Sequence, residues 1–594
     1  MGRATNRRDI LPKSHAKQEF CLSDADLAAL TATEKRNPFS AKAAPMKLYK
    51  RAEVREVAIR KYGSEQRLAE ELEARASKRR SRAAAQGTMN SFLRGEAAAT
   101  SGASHNGVEL HALIKERVEV VRAGDATPQD ALPRCVLYWM KTALRGHHNP
   151  ALDAARAEAA ARDLPLVVAA PVLLDYTYAS ARRVQFVLEG LRDAQRELRF
   201  QAGPDLLVHF GGADAEEDWE ALMALVRLAA VVVTEAMPVP PETDWLARLC
   251  SEAPAGIGIW AVDCACTYPS RLVTRAYDRA SAFRSTTSAG RKERLAPDGL
   301  YAALPDLSCF GAAADTADAA PPPPPSWLPW QSLDLSQADI LALMSRCIRL
   351  DDSVPPVAHL RGGSRAGYSR WDEFRQSGGL RHYAMTRNNA MNRGGVSRLS
   401  AYHRWGMVSP FKIARDAGSC SSGGARKFLD EFLVWRELSY AFCAHKAPAA
   451  LHTLQALPKW AQSTLANHAS DEKQVLDEGE IEAGRTGDAF WDAAQQQLVA
   501  TGELHNNVRM TWGKAFLRWA PTPERALALA LHCNHKYALD GCDPASYGGV
   551  LWCFGQFDGP KGAQGTPMYG SLRARPTAAH ARRLDPQRYA QLPA

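Results

Sequence analysis

Between Cys135 and Cys264 short apolar runs alternate with helical stretches: CVLYWM, ALDAARAEAAARD, LPLVVAAPVLL, VQFVLEGLRDAQREL, PDLLVHFGGAD, AVVVTEAMPV and GIWAVDC. Strands that are apolar along their whole length are buried on both faces, and strands separated by helices at this spacing form a parallel, doubly wound sheet. No G-x-G-x-x-G follows the first strand, so the sequence carries no dinucleotide fingerprint there. After Trp330 the chain reads as predominantly helical. The expected fold class is therefore α/β plus all-α: a small helical amino-terminal module, a doubly wound parallel α/β domain, and a large helical domain.

At 594 residues the chain is too long for one ordinary domain. Composition divides it into a basic module at 1–83, a linker and lead-in at 84–130, the α/β domain at 131–312, a Pro-rich linker at 313–330 that includes Pro321–Pro325, and the helical domain at 331–594. The charge is equally uneven. Residues 1–83 hold 20 Lys/Arg against 11 Asp/Glu, which accounts for the whole net charge of +9 and leaves the rest balanced at 54 against 54. A basic module ahead of a neutral body suits a polyanionic partner. No apolar run is long enough to span a membrane, and the start lacks the apolar core of a secretory signal. Twelve cysteines without a C-x-x-C pair argue for free thiols in a reducing compartment and against a metal site.

The helical half carries the most specific stretch, Phe490–Phe554. It predicts a helix over Trp491–Thr501, a stop at Gly502, a second helix from about His505 to Trp519, a third over Pro523–Tyr537, and then a Gly/Asp/Pro turn. On the second helix Asn506, Arg509 and Gly513 fall on one face, bringing together an amide, a guanidinium and bare backbone suited to a flat polar ligand. Asp540 and Asp543 in LDGCD offer the opposite charge, and an Arg509–Asp540 fork would stay charged beside a cofactor. A pair that merely staples two helices is the plainer alternative.

The order WDAAQQQLV, G-x-x-H-N-x-x-R-M, LDG-x-DP and a closing LW resembles the flavin-binding region of the photolyase and cryptochrome superfamily, above all its class II cyclobutane-dimer photolyases. The resemblance runs from about Val108 to Tyr589 and includes YWM with Arg145, Asn149, Ala151 and Leu152, and SARRVQFVLEGL. It implies an FAD cofactor held by Tyr383, Ser397, Arg398, Leu399 and Ser400 at the phosphates, and by Asn506, Arg509, Asp540, Asp543 and Ser546. It also implies an antenna pigment of unspecified identity in the α/β domain. Glu431 and Trp435, at i and i+4, would line the pocket for a flipped pyrimidine dimer, where a carboxylate bonds a base edge and an indole stacks on it. Trp512, Trp491 and Trp519 coincide with the class II electron path, with Trp512 proximal and Trp491 or Trp519 as outlet. By spacing alone such tryptophans are core residues.

Four positions depart from the class II pattern. Thr511 replaces a tyrosine, and SAY replaces SPY or SPW. Ala545 and Ser546 stand where an asparagine would face the flavin, and the loop CFGQFDGPKG lacks a His and a Trp, with Phe557 and Pro560 nearest. These changes make flavin binding a firmer expectation than repair and keep a cryptochrome-like receptor as the alternative.

Residues 14–83 carry their own resemblance. AKQEFCLSDADL, MKLYKRAEV and IRKYGSEQRLAEE are similar to the carboxy-terminal DNA-binding part of the xeroderma pigmentosum group A protein, without its zinc finger. The equivalent DNA-contacting positions are Lys47, Lys50, Arg51, Arg55, Arg60 and Lys61. The apolar set Leu48, Tyr49, Val54, Val57, Ala58, Tyr62 and Leu68 would form a small core, with Ser64 capping the next helix. The expected partner is damaged double-stranded DNA, bound by a monomer away from any membrane. KRRSR at 78–82 suggests a nuclear address, and a chloroplast address stays open.

Overall fold

The computed structural model describes residues 10–12, 24–28, 30–31, 33–35, 46–62, 64 and 67, and then 112–124, 133–201, 203–212, 214–296, 326–347, 349–561 and 565–592. Residues 84–111 and 125–130 of the linker and lead-in expected at 84–130, the Pro321–Pro325 run and the basic stretch at 78–82 lie outside the described residues. The chain forms two compact units, residues 1–99 and 100–594.

The amino-terminal unit contains the expected helix, Arg51–Tyr62, and adds a sheet to it. Strand β3 (Met46–Lys50) pairs antiparallel with both β1 (Ile10–Pro12) and β2 (Thr33–Lys35), and the helix follows β3 directly. Tyr49, Val54 and Ala58 are buried with Leu27, so three of the expected core residues meet there. The side chains of Leu48, Tyr62 and Leu68 lie outside the described residues. Ser64 Oγ accepts from Arg67 N at 3.1 Å, the expected cap.

In the second unit β4 (Val118–Arg122), β5 (Cys135–Trp139), β6 (Leu166–Pro171), β7 (Leu206–His209), β8 (Ala229–Glu235) and β9 (Gly258–Val262) form a sheet of order β4-β9-β8-β5-β6-β7. Strands β5 to β9 are parallel, and β4 joins the edge antiparallel to β9. The sheet therefore begins before residue 131, inside the segment read as lead-in. VEVVR escaped notice because a half-exposed edge strand carries charges that a central strand does not.

The strands' carboxyl ends are covered by a turn of the helical layer. Arg145, fully buried, donates from Nη1 to Gly406 O at 2.5 Å and from Nη2 to Cys264 O at 3.2 Å, and Leu144 N donates to Trp405 O at 3.0 Å. A Cβ on Gly406, whose φ is +58°, would lie 2.2 Å from Thr142 O, so only glycine lets this turn close on the sheet. Arg404 pairs with Glu242 at 2.6 Å with both side chains 1% exposed. Asn149 caps the Pro150–Arg162 helix through Ala151 N and Leu152 N. Arg145 and the Arg404–Glu242 pair thus lock the α/β layer to the Ser400–Arg404 helix, and with it the loop that borders the cavity described next.

Candidate active site

A cavity of about 750 Å³ opens in the helical layer. Its walls are the Gly379–Thr386 helix, the 396–400 loop, the wide π-helical turn Glu431–Arg436, the Asn506–Ala515 helix and the Pro544–Cys553 helix. All twelve positions expected to hold a cofactor or a lesion line it: Tyr383, Ser397, Arg398, Leu399, Ser400, Glu431, Trp435, Asn506, Arg509, Asp540, Asp543 and Ser546.

The helix breaks fall as expected. Gly502 adopts φ +70° and ends Ala489–Thr501, and the next helix runs Asn506–Ala515 before tightening to a 3₁₀ turn at Phe516–Arg518. Arg509 Nη2 donates to both Asp540 oxygens, at 3.0 and 3.1 Å, and to Leu504 O at 3.3 Å. One nitrogen serves both oxygens, so the pair is not the two-pronged fork expected. Arg509 Nε is buried with no protein partner. Gly513 does not face the cavity: a Cβ there would lie 2.7 Å from Cys553 Sγ. The bare backbone read as a ligand face instead lets the Asn506–Ala515 and Pro544–Cys553 helices approach closely.

Asp543 caps the Pro544–Cys553 helix through Ala545 N at 2.7 Å and accepts from Tyr440 OH at 2.7 Å, while burial raises its carboxyl above the usual range. Ser546 Oγ accepts from Asn534 Nδ2. Arg398 adopts φ +54°, and its guanidinium is bound to Glu503, which also meets Arg393 at 3.5 Å and Arg370 at 3.6 Å. Its side chain is therefore tied to protein, and the backbone of the 397–400 turn is what remains to meet an anion. Three guanidiniums around one carboxylate leave this end of the cavity positive, and burial followed by repulsion from Arg398 lowers Arg393 to about 10.

At the other end Glu431 is not a free carboxylate. Its Oε1 meets Arg387 Nη2 at 2.9 Å and Lys427 Nζ at 2.6 Å. Trp435 stands one turn further, with Trp552, Met510 and Phe557 on the facing elements. Phe557 occupies the wall next to the departed loop, as its sequence position suggested, and Pro560 does not reach the cavity. Arg387 and Trp552 were missed as cavity residues. The first was legible as four residues after Tyr383 on one helix, the second as the Trp of the LW that closes the motif.

The three tryptophans lie behind the cavity as a chain, not on its surface. Trp512 and Trp491 are nearly parallel, at 8° and 6.2 Å between ring centroids, and Trp491 meets Trp519 edge-on at 5.1 Å. Trp491 is therefore the middle member. Trp512 Nε1 donates to Gln495 Oε1 and Trp491 Nε1 to Trp512 O, each at 3.0 Å. All three are at most 2% exposed. Thr511, in the tyrosine position, accepts from Arg575 Nε at 3.0 Å and lies 2.9 Å from His580 Nδ1.

In the amino-terminal unit Lys50 pairs with Glu53 at 2.9 Å and Lys61 with Asp26 at 2.5 Å, while Arg55 and Arg60 are exposed. Lys50 and Lys61 thus already hold acidic partners, in pairs of the weak surface kind that a phosphate can displace. The side chains of Lys47 and Arg51 lie outside the described residues.

The large cavity fits the FAD that the resemblance implies. It has a dinucleotide's size, a cationic end and buried guanidinium nitrogens, Arg509 Nε and Arg387 Nε, left without protein acceptors. The crevice by the ends of β5 and β6, walled by Trp139, Lys141, Trp245 and Trp405, is much smaller, at about 50 Å³. Among the described residues no cluster of His, Cys, Asp and Glu could hold a metal ion, and no helix is long and apolar enough to cross a membrane.

Residues 136–304 match the family described as DNA photolyase, and residues 8–54 match the XPA protein C-terminus. An Oryza sativa subsp. japonica protein named deoxyribodipyrimidine photo-lyase is 30% identical over 491 residues, covering 80% of this chain and 89% of that protein. The protein of that name from Methanothermobacter thermautotrophicus is 29% identical, over 71% of this chain and 86% of its own. Among solved structures, a class III photolyase from Agrobacterium tumefaciens superposes with a TM-score of 0.51 at 19% identity, over 78% of this chain and 87% of that one. A Synechocystis cryptochrome does so at 0.52 and 17%, over 78% and 89%.

Proposed function

The chain belongs to the photolyase and cryptochrome family, and from that premise we propose that it is a deoxyribodipyrimidine photo-lyase that uses FAD and light to split cyclobutane pyrimidine dimers in DNA. The observation that carries the reading is that the Arg509–Asp540 pair, the 396–400 loop, Glu431, Trp435 and Trp552 all line one cavity. Bound, reduced FAD would supply the excited electron that opens the cyclobutane ring, and would recover it afterwards.

This chain's own residues bind, orient and supply. Arg398, Arg393 and Arg370 set a positive potential for the pyrophosphate, which the amides of the 397–400 turn can meet. Arg509, its charge fixed by Asp540, holds the ring system against the Asn506–Ala515 helix. Trp435 and Trp552 present aromatic faces on which a flipped base pair stacks, and Glu431 presents a carboxylate oriented by Arg387 and Lys427 to accept a base N–H. Trp519, Trp491 and Trp512 relay an electron toward the cavity in that order. The amino-terminal unit adds a second DNA contact through Arg55, Arg60 and the lysines beside them, and two tethered contacts on one duplex gain affinity by effective concentration. The reading includes a monomer with a nuclear address. It also takes in an antenna pigment of unspecified identity held by the α/β domain, as the resemblance implies.

One observation favours the second reading, a cryptochrome-like receptor: Ala545, in the turn that borders the cavity, has no side-chain donor to offer the flavin. The deciding experiment is repair. Photoreduced protein and a defined thymine-dimer oligonucleotide are illuminated with blue light against a dark control. Light-dependent loss of the dimer is expected. Stoichiometric flavin that photoreduces while every dimer survives would replace the enzyme with the receptor.

A further inference from the structure

Lys514 lies on the Asn506–Ala515 helix, one turn after Met510 and on the side away from the tryptophan chain's contacts. Its side chain is buried at 1% exposure, yet no carboxylate approaches its ammonium within 4.0 Å among the described residues. Two groups hold the charge. Nζ donates to Cys553 O at 2.8 Å, and it stands 4.8 Å from the centroid of the Trp552 ring. Cys553 ends the Pro544–Cys553 helix, whose last carbonyls have no partner within the helix and whose dipole there favours a cation. Trp552, half-buried, turns another part of the same ring system to the cavity.

A buried ammonium held by one carbonyl and one indole face is an expensive way to end a helix. A methionine would fill the space without the charge. What the ammonium adds is direction: it fixes the plane of Trp552 relative to Cys553 O, and so the surface Trp552 presents to the cavity that Trp435 also lines. We propose that Lys514 is a positioning residue for the lesion, holding Trp552 in the orientation that stacks on a flipped pyrimidine dimer. The inference rests on the photolyase reading and assigns specificity to a residue that touches neither flavin nor DNA.

The position is also titratable. Burial pushes the Lys514 ammonium down to about 8, so its charge, and with it the clamp, is lost in mildly alkaline solution. Facing it are the Cys553 thiol, which burial pushes up to about 11, Asp558 on the following loop, and Arg573 and Arg575 on the 565–576 segment. The other elements packed on its helix carry Asp492, Arg518 and His580, the last pushed down to about 4 by burial. Carboxylates and guanidiniums do not ordinarily change state between about pH 6.5 and 9.5.

The test measures dark binding of the flavin-loaded protein to a duplex with one thymine dimer and to the same duplex undamaged, by fluorescence anisotropy from pH 6.5 to 9.5. Wild type should prefer the dimer, and that preference should fall about tenfold across the range, the worth of one base–aromatic stack. Lys514→Met should lower the preference about tenfold at pH 7 and flatten its profile, with affinity for undamaged DNA unchanged. Lys514→Arg should restore the preference and keep it through pH 9.5. A Lys514→Met protein with wild-type preference and profile overturns the proposal. Should that variant fail to fold, the two remaining profiles decide, and an equal fall in wild type and Lys514→Arg overturns it. A wild type without preference at any pH sinks the photolyase reading and the inference with it, and is recognised by the undamaged control.

Discussion

Removing the Arg509 guanidinium is the most direct test of the cofactor site. In Arg509→Ala the contact from Nη2 to both Asp540 oxygens disappears, along with the bond to Leu504 O. A hydrogen bond to a charged group contributes roughly 1.5–3 kcal/mol. Asp540, only 13% exposed, is then left as a carboxylate without its cation, although cavity water can reach it. The expected cost is roughly 3 kcal/mol, between a rehydrated exposed pair and a fully buried one. Flavin affinity falls by a further factor, because the same guanidinium orients the ring. Urea unfolding with and without added FAD separates the two effects, and the ratio of flavin to protein absorbance after gel filtration gives the stoichiometry. We expect a flavin-poor protein with a lower midpoint in both conditions, and Arg509→Lys in between, since it restores the charge without the planar donor geometry. Stoichiometric flavin at an unchanged midpoint would refute the reasoning.

Three further outcomes follow from the same geometry. Trp491→Phe removes the middle ring that joins Trp512 to Trp519, so photoreduction should slow at least about tenfold while flavin content stays at wild type, as read by the loss of oxidised flavin absorbance under steady blue light. Gly513→Ala should destabilise by roughly 1–3 kcal/mol through overpacking against Cys553 Sγ, and Cys553→Ala in the same chain should recover most of it in a double-mutant cycle; additive losses would disprove the contact. Lys514 gives a stability effect of definite sign. Its folded value, about 8, lies below the ordinary 10.5, so between these values the unfolded chain binds more protons and stability rises with pH. The rise is roughly 3 kcal/mol across that window, at about 1.4 kcal/mol per unit, and Lys514→Met should lack it.

The α/β layer was legible because five of its strands are almost continuously apolar, with His209 and Thr234–Glu235 only at strand ends, a pattern that suits a doubly covered parallel sheet. β4 was not, since an edge strand with Glu119 and Arg122 offers no such run. The site's residue list was legible through motif order, yet its geometry was not. Spacing put Asn506, Arg509 and Gly513 on one helix face but could not say that the face is divided between a cavity and a neighbouring helix. Arg398 looks like a free ligand in sequence because its partner Glu503 is far away along the chain, whereas of the two cations on Glu431 only Arg387 is distant and Lys427, four residues before it, was legible. Trp491 became the middle of the relay only when the Ala489–Thr501 helix was packed against Asn506–Ala515, a tertiary fact with no local signature. The sheet beside the Arg51–Tyr62 helix was hidden for another reason. Strands of three to five residues carry too little periodicity to separate from helix.

The two functional readings place different demands on the same cavity, and its walls can be sorted by those demands. A receptor needs the flavin to be held and reduced, which Arg509, Asp540 and the tryptophan chain provide. It has no use for a carboxylate steered by two cations in a cavity lined by two indoles, and the chain keeps Glu431, Arg387, Lys427, Trp435 and Trp552 together in the walls of one cavity. The substitution at Ala545 bears on the cofactor end alone. There Ser546 accepts from Asn534, so its own hydroxyl proton is the one side-chain donor the 545–546 pair can offer to a ring nitrogen. A hydroxyl that replaces an amide shifts the potential at which the flavin is reduced and leaves the lesion walls untouched. The departure in the turn therefore tunes how easily the cofactor is charged, while what that charge acts on is decided by Glu431 and the two tryptophans across the cavity.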